Sequence, residues 1–152
     1  MNPMPRRFGE PPRPVPHRLR PGAYGVILAP GGLLLTRDGT GEVQLPGGGM
    51  DPGESPEQGL IREAREETGW LVRPIRRLAL YRRFAWIEEE DRLAEKVAHV
   101  ILARAVRRLG PPTEARHTAL TMGWKAAMAA LGPPGEPLIL AETRRRFPST
   151  CR

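Results

Sequence analysis

The chain has 152 residues, of which 39% are hydrophobic, and a single cysteine, Cys151. This length fits one globular domain with a core of its own, no apolar run reaches the roughly 18 residues of a membrane span, and one cysteine excludes an internal disulfide. The formal net charge of +7 comes from 24 basic residues, 22 of them arginine, which indicates either a surface that attracts nucleotides or RNA or a compositional bias without function.

The first 20 residues are rich in proline and arginine and lack the apolar core of a signal peptide. We expect them to form an extended or disordered arm, which is either an inert tail or a contact for a partner subunit or RNA. A single domain is expected over residues 21–147, with a basic tail over 148–152. These features and the isolated cysteine predict a protein of the reducing cytoplasm, without membrane contact.

The domain opens with a pattern of short strands. Gly22–Ala29 is an apolar run typical of a buried strand. Residues 30–32 (PGG) form a turn, so that Leu33–Arg37 completes a hairpin with the first strand. After a second turn, Glu42–Leu45 predicts a short strand that leads into a glycine-rich loop.

A helix with both ends marked follows this loop. Ser55 is a good N-cap, and Gln58 completes a capping box with it. Pro56 suits the first helical position, and Gly69 suits the left-handed residue that ends a helix. The helix is expected to bury one stripe of residues, which are Leu60, Ile61 and Ala64.

Three carboxylates lie beside that stripe. Glu63, Glu66 and Glu67 fall within an arc of roughly 100° on a helix of 3.6 residues per turn. They are either a solvated face or a cation site, and like charges at these spacings repel by about 0.2–0.5 kcal/mol per pair. A hard divalent cation with oxygen ligands relieves this repulsion. The preceding glycines, Gly47–Gly49 and Gly53, allow a tight turn that approaches a ligand closely.

The second half of the chain is less regular. Apolar positions alternate over Trp70–Trp86, which predicts one or two strands, and 88–91 (EEED) is an acidic loop. The composition of Leu93–Val106 suits a helix or a strand. A loop with a short strand is expected over Glu114–Trp124. Two further helices are predicted, at Lys125–Leu131 and Glu136–Arg146.

The residues from Gly48 to Trp70 resemble the complete signature of the Nudix hydrolases. Gly48 is followed after five residues by Glu54 and, seven residues later, by the run REAREETGW that starts at Arg62. The resemblance implies an α/β fold, the Nudix-like α/β/α sandwich with a mixed β-sheet between helices. It also favours a strand for Leu93–Val106.

The resemblance implies a metal-dependent pyrophosphohydrolase. In this family, water attacks a phosphorus of a nucleoside diphosphate linked to another moiety. One to three divalent cations, Mg²⁺ or its substitute Mn²⁺, hold the diphosphate and lower the pKa of the attacking water. Glu66 and Glu67 are the expected carboxylate ligands, and Glu63 is a ligand or the catalytic base.

Other site residues are carried over in the same way. The backbone carbonyl of Gly47 is expected to bind the cation, and Glu54 lies outside the first ligands or binds an additional ion. Arg62 is expected to orient the glutamates by charge-assisted hydrogen bonds. Many family members add one acid from outside the signature, for which Glu114 is the first candidate and the 88–91 run the competing one.

Two histidines and one aspartate have plainer interpretations. His99 and His117 are conceivable bases, but a lone histidine is more often a packed or surface residue. Asp51 is expected to cap a turn.

The substrate is less clearly indicated than the reaction. Arg82, Arg83, Phe84 and Trp86, together with Tyr81, either stack on a base and bind phosphates or fill the core. Three arginines outside this group are further candidates, Arg107, Arg108 and Arg116. Small nucleotide derivatives and RNA 5′ ends remain open as substrates, and a non-catalytic nucleotide- or RNA-binding regulator is the alternative class. Family resemblance makes a homodimer plausible.

Overall fold

The computed structural model describes residues 6–9, 18–87 and 92–151. Within them lie three helices, α1 (Pro56–Thr68), α2 (Trp124–Ala130) and α3 (Glu136–Arg146). The same residues form eight strands, which are β1 (Arg6–Phe8), β2 (Arg18–Ala29), β3 (Gly32–Arg37), β4 (Val43–Gln44), β5 (Gly47–Gly49), β6 (Trp70–Ile87), β7 (Arg92–Arg108) and β8 (Thr118–Met122).

The strands form one mixed sheet in the order β1-β6-β7-β2-β3-β4, with β5 paired to β2 and β8 to β3. The central pair is parallel and long, since β2 and β7 stay in register from the pair Arg18 and Ala94 to the pair Leu28 and Arg104. The hairpin of β2 and β3 and the pair of β6 and β7 are antiparallel. This arrangement brings residues 22–24 of β2 beside both the glycine loop and β7.

Helices cover both faces of the sheet, because successive side chains of β2 point to opposite faces. Ala23 and Ile27 pack against Leu60 of α1, while Val26 packs in a second core with Leu140 of α3 and Trp124 of α2. The predicted α/β/α sandwich is therefore confirmed. No helix in the described ranges is long and apolar enough to cross a membrane.

Helix α1 begins and ends as its sequence predicts. The Ser55 hydroxyl accepts the Gln58 N–H at 3.1 Å, and the Gln58 side chain accepts the Ser55 N–H at 2.9 Å. Gly69 ends the helix at φ 76°, and a Cβ there would overlap the carbonyl oxygen of Gly110. Glycine is therefore required at the position where the chain turns from α1 into β6.

Strand β6 is one continuous strand where the sequence left one or two open. Its pairing with β7 shifts register at three places, between Leu71 and Val72, around Pro74, and between Arg77 and Ala79. Pro74 lacks the N–H that a regular ladder needs, so an irregularity there is expected. The segment Leu93–Val106 is a strand, as the family resemblance favoured.

Parts of the predicted N-terminal arm are described, and these parts are strands. Arg6–Phe8 pairs in parallel with β6, and the Phe8 ring meets the Tyr81 ring edge-on at 5.2 Å. Arg18–Arg20 lies within β2, so this strand begins three residues before the predicted domain boundary at residue 21. The rest of the arm, residues 1–5 and 10–17, lies outside the described residues. At the other end, Cys151 of the predicted tail is buried in the core.

Candidate active site

The signature carboxylates lie where α1 meets the glycine loop. Glu67 is buried, and its Oε1 accepts the Gly47 N–H at 2.8 Å. Glu63 faces Gly48 so closely that a Cβ on this glycine would stand 2.8 Å from the Glu63 carboxyl carbon. Gly47 has φ 149°, and a Cβ there would overlap the Ala23 carbonyl oxygen. The two glycines thus bring the β5 backbone into contact with the acidic face of α1.

Arg62 binds several acids of the signature at once. Its guanidinium donates to both oxygens of Glu54 at 2.9 Å, to Glu63 at 2.9 Å and to Glu66 at 3.3 Å. It also donates to the Gly49 carbonyl at 2.8 Å. These contacts hold the pKa of Arg62 above its usual range, so the side chain stays charged and fixes the carboxylates in place. This geometry agrees with the orienting role expected for Arg62.

The Glu54 carboxylate is taken up by these contacts. Besides Arg62, it accepts the Asp51 N–H at 2.6 Å, and both interactions lower the pKa of Glu54. The Asp51 carboxylate lies 3.2 Å from Arg62 Nε, so it joins the same network. Gly47 uses its N–H toward Glu67, and the predicted roles of its carbonyl and of Glu54 toward a cation stay predictions.

Glu114 reaches the same face from a distant part of the chain. Its N–H donates to the Glu66 carbonyl at 3.0 Å, which ties the loop before β8 to the last turn of α1. One carboxylate oxygen each of Glu63, Glu66 and Glu114 lie within 4.8 Å of one another. The structure thus places the remote acid beside the signature, although its catalytic role stays a proposal. The competing 88–91 run lies outside the described residues.

The sequence did not indicate that His117 lies among the acids of the site. Its Nδ1 lies 3.0 Å from Thr36 Oγ1 and 3.4 Å from Glu67 Oε2, and its Nε2 lies 3.8 Å from Glu114 Oε2. Only its spacing of three residues from Glu114 could have pointed to this. His99, the other candidate, lies on β7 near Arg77 and Glu57, and burial lowers its pKa.

Burial, together with the neighbouring acids, raises the pKa of two carboxyl groups in the site. Burial raises the pKa of Glu63, and the charges of Glu66 and Glu114 raise it further against the opposing effect of Arg62. Burial also raises the pKa of Glu67 well above its usual range, with the Gly47 N–H opposing and the charges of Glu63 and Glu114 adding to the rise. Ionised carboxylates in this position are therefore unfavourable unless a cation offsets their charge.

The site opens into a cavity of about 660 Å³, within the range of small-molecule sites. Glu63, Glu67 and Glu114 line one part of it. Two aromatic and three basic residues line other parts, Tyr24, Trp86, Arg20, Lys96 and Arg116, together with the polar residues Asp38, Thr40 and Gln44. Such a lining combines flat rings and positive charge with the carboxylates, a combination that suits a nucleotide.

The predicted substrate residues of β6 divide into two groups. Trp86 lines the cavity and is 59% exposed, so its ring is available for stacking. Arg82, Arg83 and Phe84 do not line it. Arg82 lies 3.5 Å from Glu95, Arg83 is buried, and Phe84 packs under the guanidinium of Arg7. Arg7 of β1 thus engages Phe84, and Glu95 of β7 lies beside Arg82.

Several cavity residues were not found from the sequence. Of the three arginines considered outside β6, Arg116 alone lines the cavity. Arg20 and Lys96 come together because they are partners in the pairing of β2 with β7. This register joins residues 76 positions apart, and no local pattern announces it.

Known proteins resemble this chain in sequence. The NUDIX domain family model matches residues 18–142. Over 71 residues the chain is 35% identical to a Bacillus subtilis (strain 168) protein with the provisional name 8-oxo-dGTP diphosphatase, covering 45% of this chain and 48% of that one. It is 37% identical, again over 71 residues, to the CMP-5'-(N-acetyl-N-hydroxy-3-aminopropyl)phosphonate hydrolase of Streptomyces rubellomurinus, covering 47% of this chain and 32% of that one. The chain thus spans less than half the length of either curated relative.

Solved structures resemble it over most of the chain. The MutT protein from Methanosarcina mazei Go1 superposes with a TM-score of 0.67 at 21% identity, covering 87% of this chain and 97% of that one. A NUDIX hydrolase from Nitrosomonas europaea superposes with a TM-score of 0.63 at 19% identity, covering 89% and 92%. At these identities, the likeness shows a common fold.

Proposed function

We propose that this chain, which belongs to the NUDIX family, is a hydrolase of phosphoric anhydrides and, more specifically, a metal-dependent pyrophosphohydrolase of a nucleoside diphosphate linked to another moiety. One observation carries the proposal: Glu63, Glu66 and Glu67 of the signature meet Glu114 at the mouth of a nucleotide-sized cavity. A protein that only bound nucleotides would not need this set of acids.

The donor set fits a hard divalent cation. Glu63, Glu66, Glu67 and Glu114 offer carboxylate oxygens, which are the ligands that Mg²⁺ and Mn²⁺ prefer. Burial disfavours the charged forms of Glu63 and Glu67, and a cation would compensate these charges. When bound, it supplies positive charge that polarises the diphosphate and activates water.

The chain's own residues would hold the groups around the reaction. Arg62 keeps the signature acids fixed, and the Gly47 N–H orients Glu67. Glu114, half exposed at the cavity mouth, would accept a proton from the attacking water. His117, between Glu67 and Glu114, would hold the Glu114 carboxylate toward the cavity. Glu63 is the alternative base.

The cavity lining supports a nucleotide substrate. Trp86 provides an exposed aromatic ring for a base, while Arg20, Lys96 and Arg116 bring positive charge for phosphates. The names of both curated relatives refer to hydrolysis of nucleotide derivatives. We also propose, from the sequence, that the protein lies in the cytoplasm and forms a homodimer.

A panel of substrates tests the proposal. Nucleoside triphosphates, oxidised nucleoside triphosphates, nucleotide sugars and dinucleoside polyphosphates are incubated with Mg²⁺, and the products are separated by ion-exchange chromatography. At least one should release a nucleoside monophosphate or inorganic phosphate. The Glu67→Gln variant should be inactive, whereas Glu57→Gln, on the same helix but paired with Arg77, should match the parent protein. Equal activity of Glu67→Gln and the parent would contradict the proposal.

One surface feature favours RNA 5′ ends as a second candidate substrate. Arg73 and Arg104 are direct partners across β6 and β7, and Arg107 and Arg108 follow on β7. All four are exposed, and their side chains form no ion pair with the rest of the described chain. Like charges that face each other on paired strands repel, and a bound polyanion would offset this repulsion. If RNA is the substrate, kcat/KM for a 5′-triphosphate RNA should exceed that for the free nucleotide and fall steeply with salt, and Arg73→Gln/Arg104→Gln should abolish the difference.

A further inference from the structure

A buried carboxyl outside the site touches the strand that leads into it. Glu136, the first residue of α3, is fully buried. Its Oε2 accepts the N–H of Leu45 at 3.0 Å, and its Oε1 has no hydrogen-bond partner among the described residues. Burial of a carboxyl costs desolvation free energy, and here the group gains only one hydrogen bond to the backbone in return. The position of Glu136 therefore calls for an explanation.

Burial keeps the Glu136 carboxyl mostly neutral near pH 7. Burial raises the pKa of Glu136 to about 8, against the opposing effects of the Leu45 N–H and the charges of Arg83 and Lys96, and the charge of Glu42 adds to the rise. A protonated carboxyl retains an oxygen that accepts a hydrogen bond. The bond to Leu45 therefore does not depend on a negative charge.

The bond from Glu136 is the first of three that fix a short segment, residues 45–47. The Pro46 carbonyl accepts the N–H of Gly25 at 2.9 Å, and the Gly47 N–H donates to Glu67 Oε1 at 2.8 Å. Gly47 is held at a positive φ, between the backbone of β2 and Glu67. A conformation of this kind persists only where the surroundings over-determine it. Glu136 ties this segment to α3, on the face of the sheet opposite to α1.

We propose that Glu136 is a positioning residue, which holds residues 45–47 so that the Gly47 N–H meets Glu67 and the glycine loop keeps its distance from Glu63. This inference rests on the proposed function, since the loop matters only if Glu63 and Glu67 serve hydrolysis. It adds to that function a link from α3 to the signature acids through one backbone N–H.

Two substitutions at Glu136 separate the acceptor from the charge. Glu136→Gln keeps an oxygen acceptor without charge, so kcat should remain within about twofold of the parent. Glu136→Leu has a similar volume but no acceptor, so kcat should fall by about 10- to 100-fold, the scale of small misplacements in active sites. The Mg²⁺ concentration for half-maximal activity should rise in Glu136→Leu, while KM for the nucleotide changes little.

A matched control accounts for lost stability. Leu140 is fully buried on the same helix and does not contact Leu45 by a polar group. Leu140→Ala should lower the melting temperature but leave kcat and the Mg²⁺ midpoint unchanged at temperatures where it is folded. If Glu136→Leu lowers only the melting temperature, as this control does, Glu136 is structural and the proposal fails.

Amide hydrogen exchange gives a readout that needs no activity. In Glu136→Leu, exchange of the Leu45 and Gly47 N–H groups should accelerate, while that of Val26 in the central strand should not. Unchanged exchange at Gly47 would overturn the inference even if activity fell, and a Glu136→Gln variant as impaired as Glu136→Leu would also overturn it. If the parent protein hydrolyses nothing on the substrate panel, the proposed function fails, but the exchange experiment still tests the anchor.

Discussion

Glu67 shows how the site depends on single residues. It is at once buried, hydrogen-bonded to the glycine loop and close to Glu63, Glu114 and His117. The sequence indicated Glu67 because its spacing on the helix and the family signature agree. It gave His117 only as a conceivable base, since a histidine on a loop has no pattern of its own. It left open whether Arg83 binds substrate or fills the core, because exposure on a strand depends on which neighbour covers that face.

The raised pKa of Glu67 predicts a stability that depends on pH in the metal-free protein. Below about pH 4.5, the ordinary value for this group, Glu67 is protonated whether the chain is folded or unfolded. Above that pH the unfolded chain ionises first, so the folded protein loses stability until the pH passes the folded pKa. In chelator, Glu67→Gln should therefore become increasingly more stable than the parent as the pH rises above about 4.5, as measured by urea unfolding.

Glu57 is the control for that measurement, because its effect on stability should change with pH in the opposite direction. The hydrogen bond from Arg77 lowers the pKa of Glu57, so Glu57 contributes stability above its ordinary pKa and loses it as the pH falls. Glu57→Gln should be slightly less stable than the parent at pH 7, and this difference should shrink as the pH falls below about 4.5. A Glu67→Gln difference that does not grow with pH would show that burial of this carboxylate costs nothing.

At the scale of elements, the sequence alone predicts α1. It predicts only in part the strand β7 and the loop of Glu114, which belong to the same site. Ser55, Gln58 and Gly69 are local signals, and the helix begins and ends at the residues they indicate. Leu93–Val106 needed the family resemblance, because the preference for helix or strand there is decided by sheet packing. The loop that carries Glu114 was placed near the signature by the same resemblance, and its backbone bond to Glu66 is a contact between distant parts of the chain.

The loop acid predicts a specific kinetic effect. Glu114→Gln should lower kcat by a factor of about 10² to 10⁴, the usual range for general acid–base catalysis. The melting temperature should change little, because the side chain is half exposed and the Glu114 N–H keeps its bond to the Glu66 carbonyl. Steady-state kinetics over a pH series measures this effect. Near-normal turnover of Glu114→Gln would assign the base to Glu63 or to the 88–91 run.

Strand β1 predicts a cost of truncation that the sequence did not suggest. Phe8 packs on Tyr81, Arg6 pairs with Glu142 at 3.0 Å, and Arg7 pairs with the buried Glu95 at 2.7 Å. Removal of residues 1–9 exposes the edge of β6, so the melting temperature should fall by several degrees. Calorimetry of the truncated and full chains measures this, and identical transitions would show that β1 contributes nothing to the fold.

For the whole molecule, the sequence predicted the sandwich and the reaction class better than the substrate site. Local signals and the signature define α1 and the acids on it. The cavity, however, also takes its lining from β2, the turn at residues 38–40, the end of β6, β7 and the loop before β8. Only the long-range strand register brings Arg20 and Tyr24 of β2 beside Lys96 of β7. We propose that this part of the molecule selects the moiety beyond the diphosphate.

The most direct test of the account is the metal dependence of hydrolysis by the full chain. Release of nucleoside monophosphate from the best substrate of the panel is measured in excess chelator and again after addition of Mg²⁺ or Mn²⁺, for the parent and for Glu67→Gln. The account predicts no release in chelator, recovery with either cation in the parent, and no recovery in Glu67→Gln. Full turnover in chelator would contradict it, because Glu63, Glu66, Glu67 and Glu114 would then converge without a cation to bind.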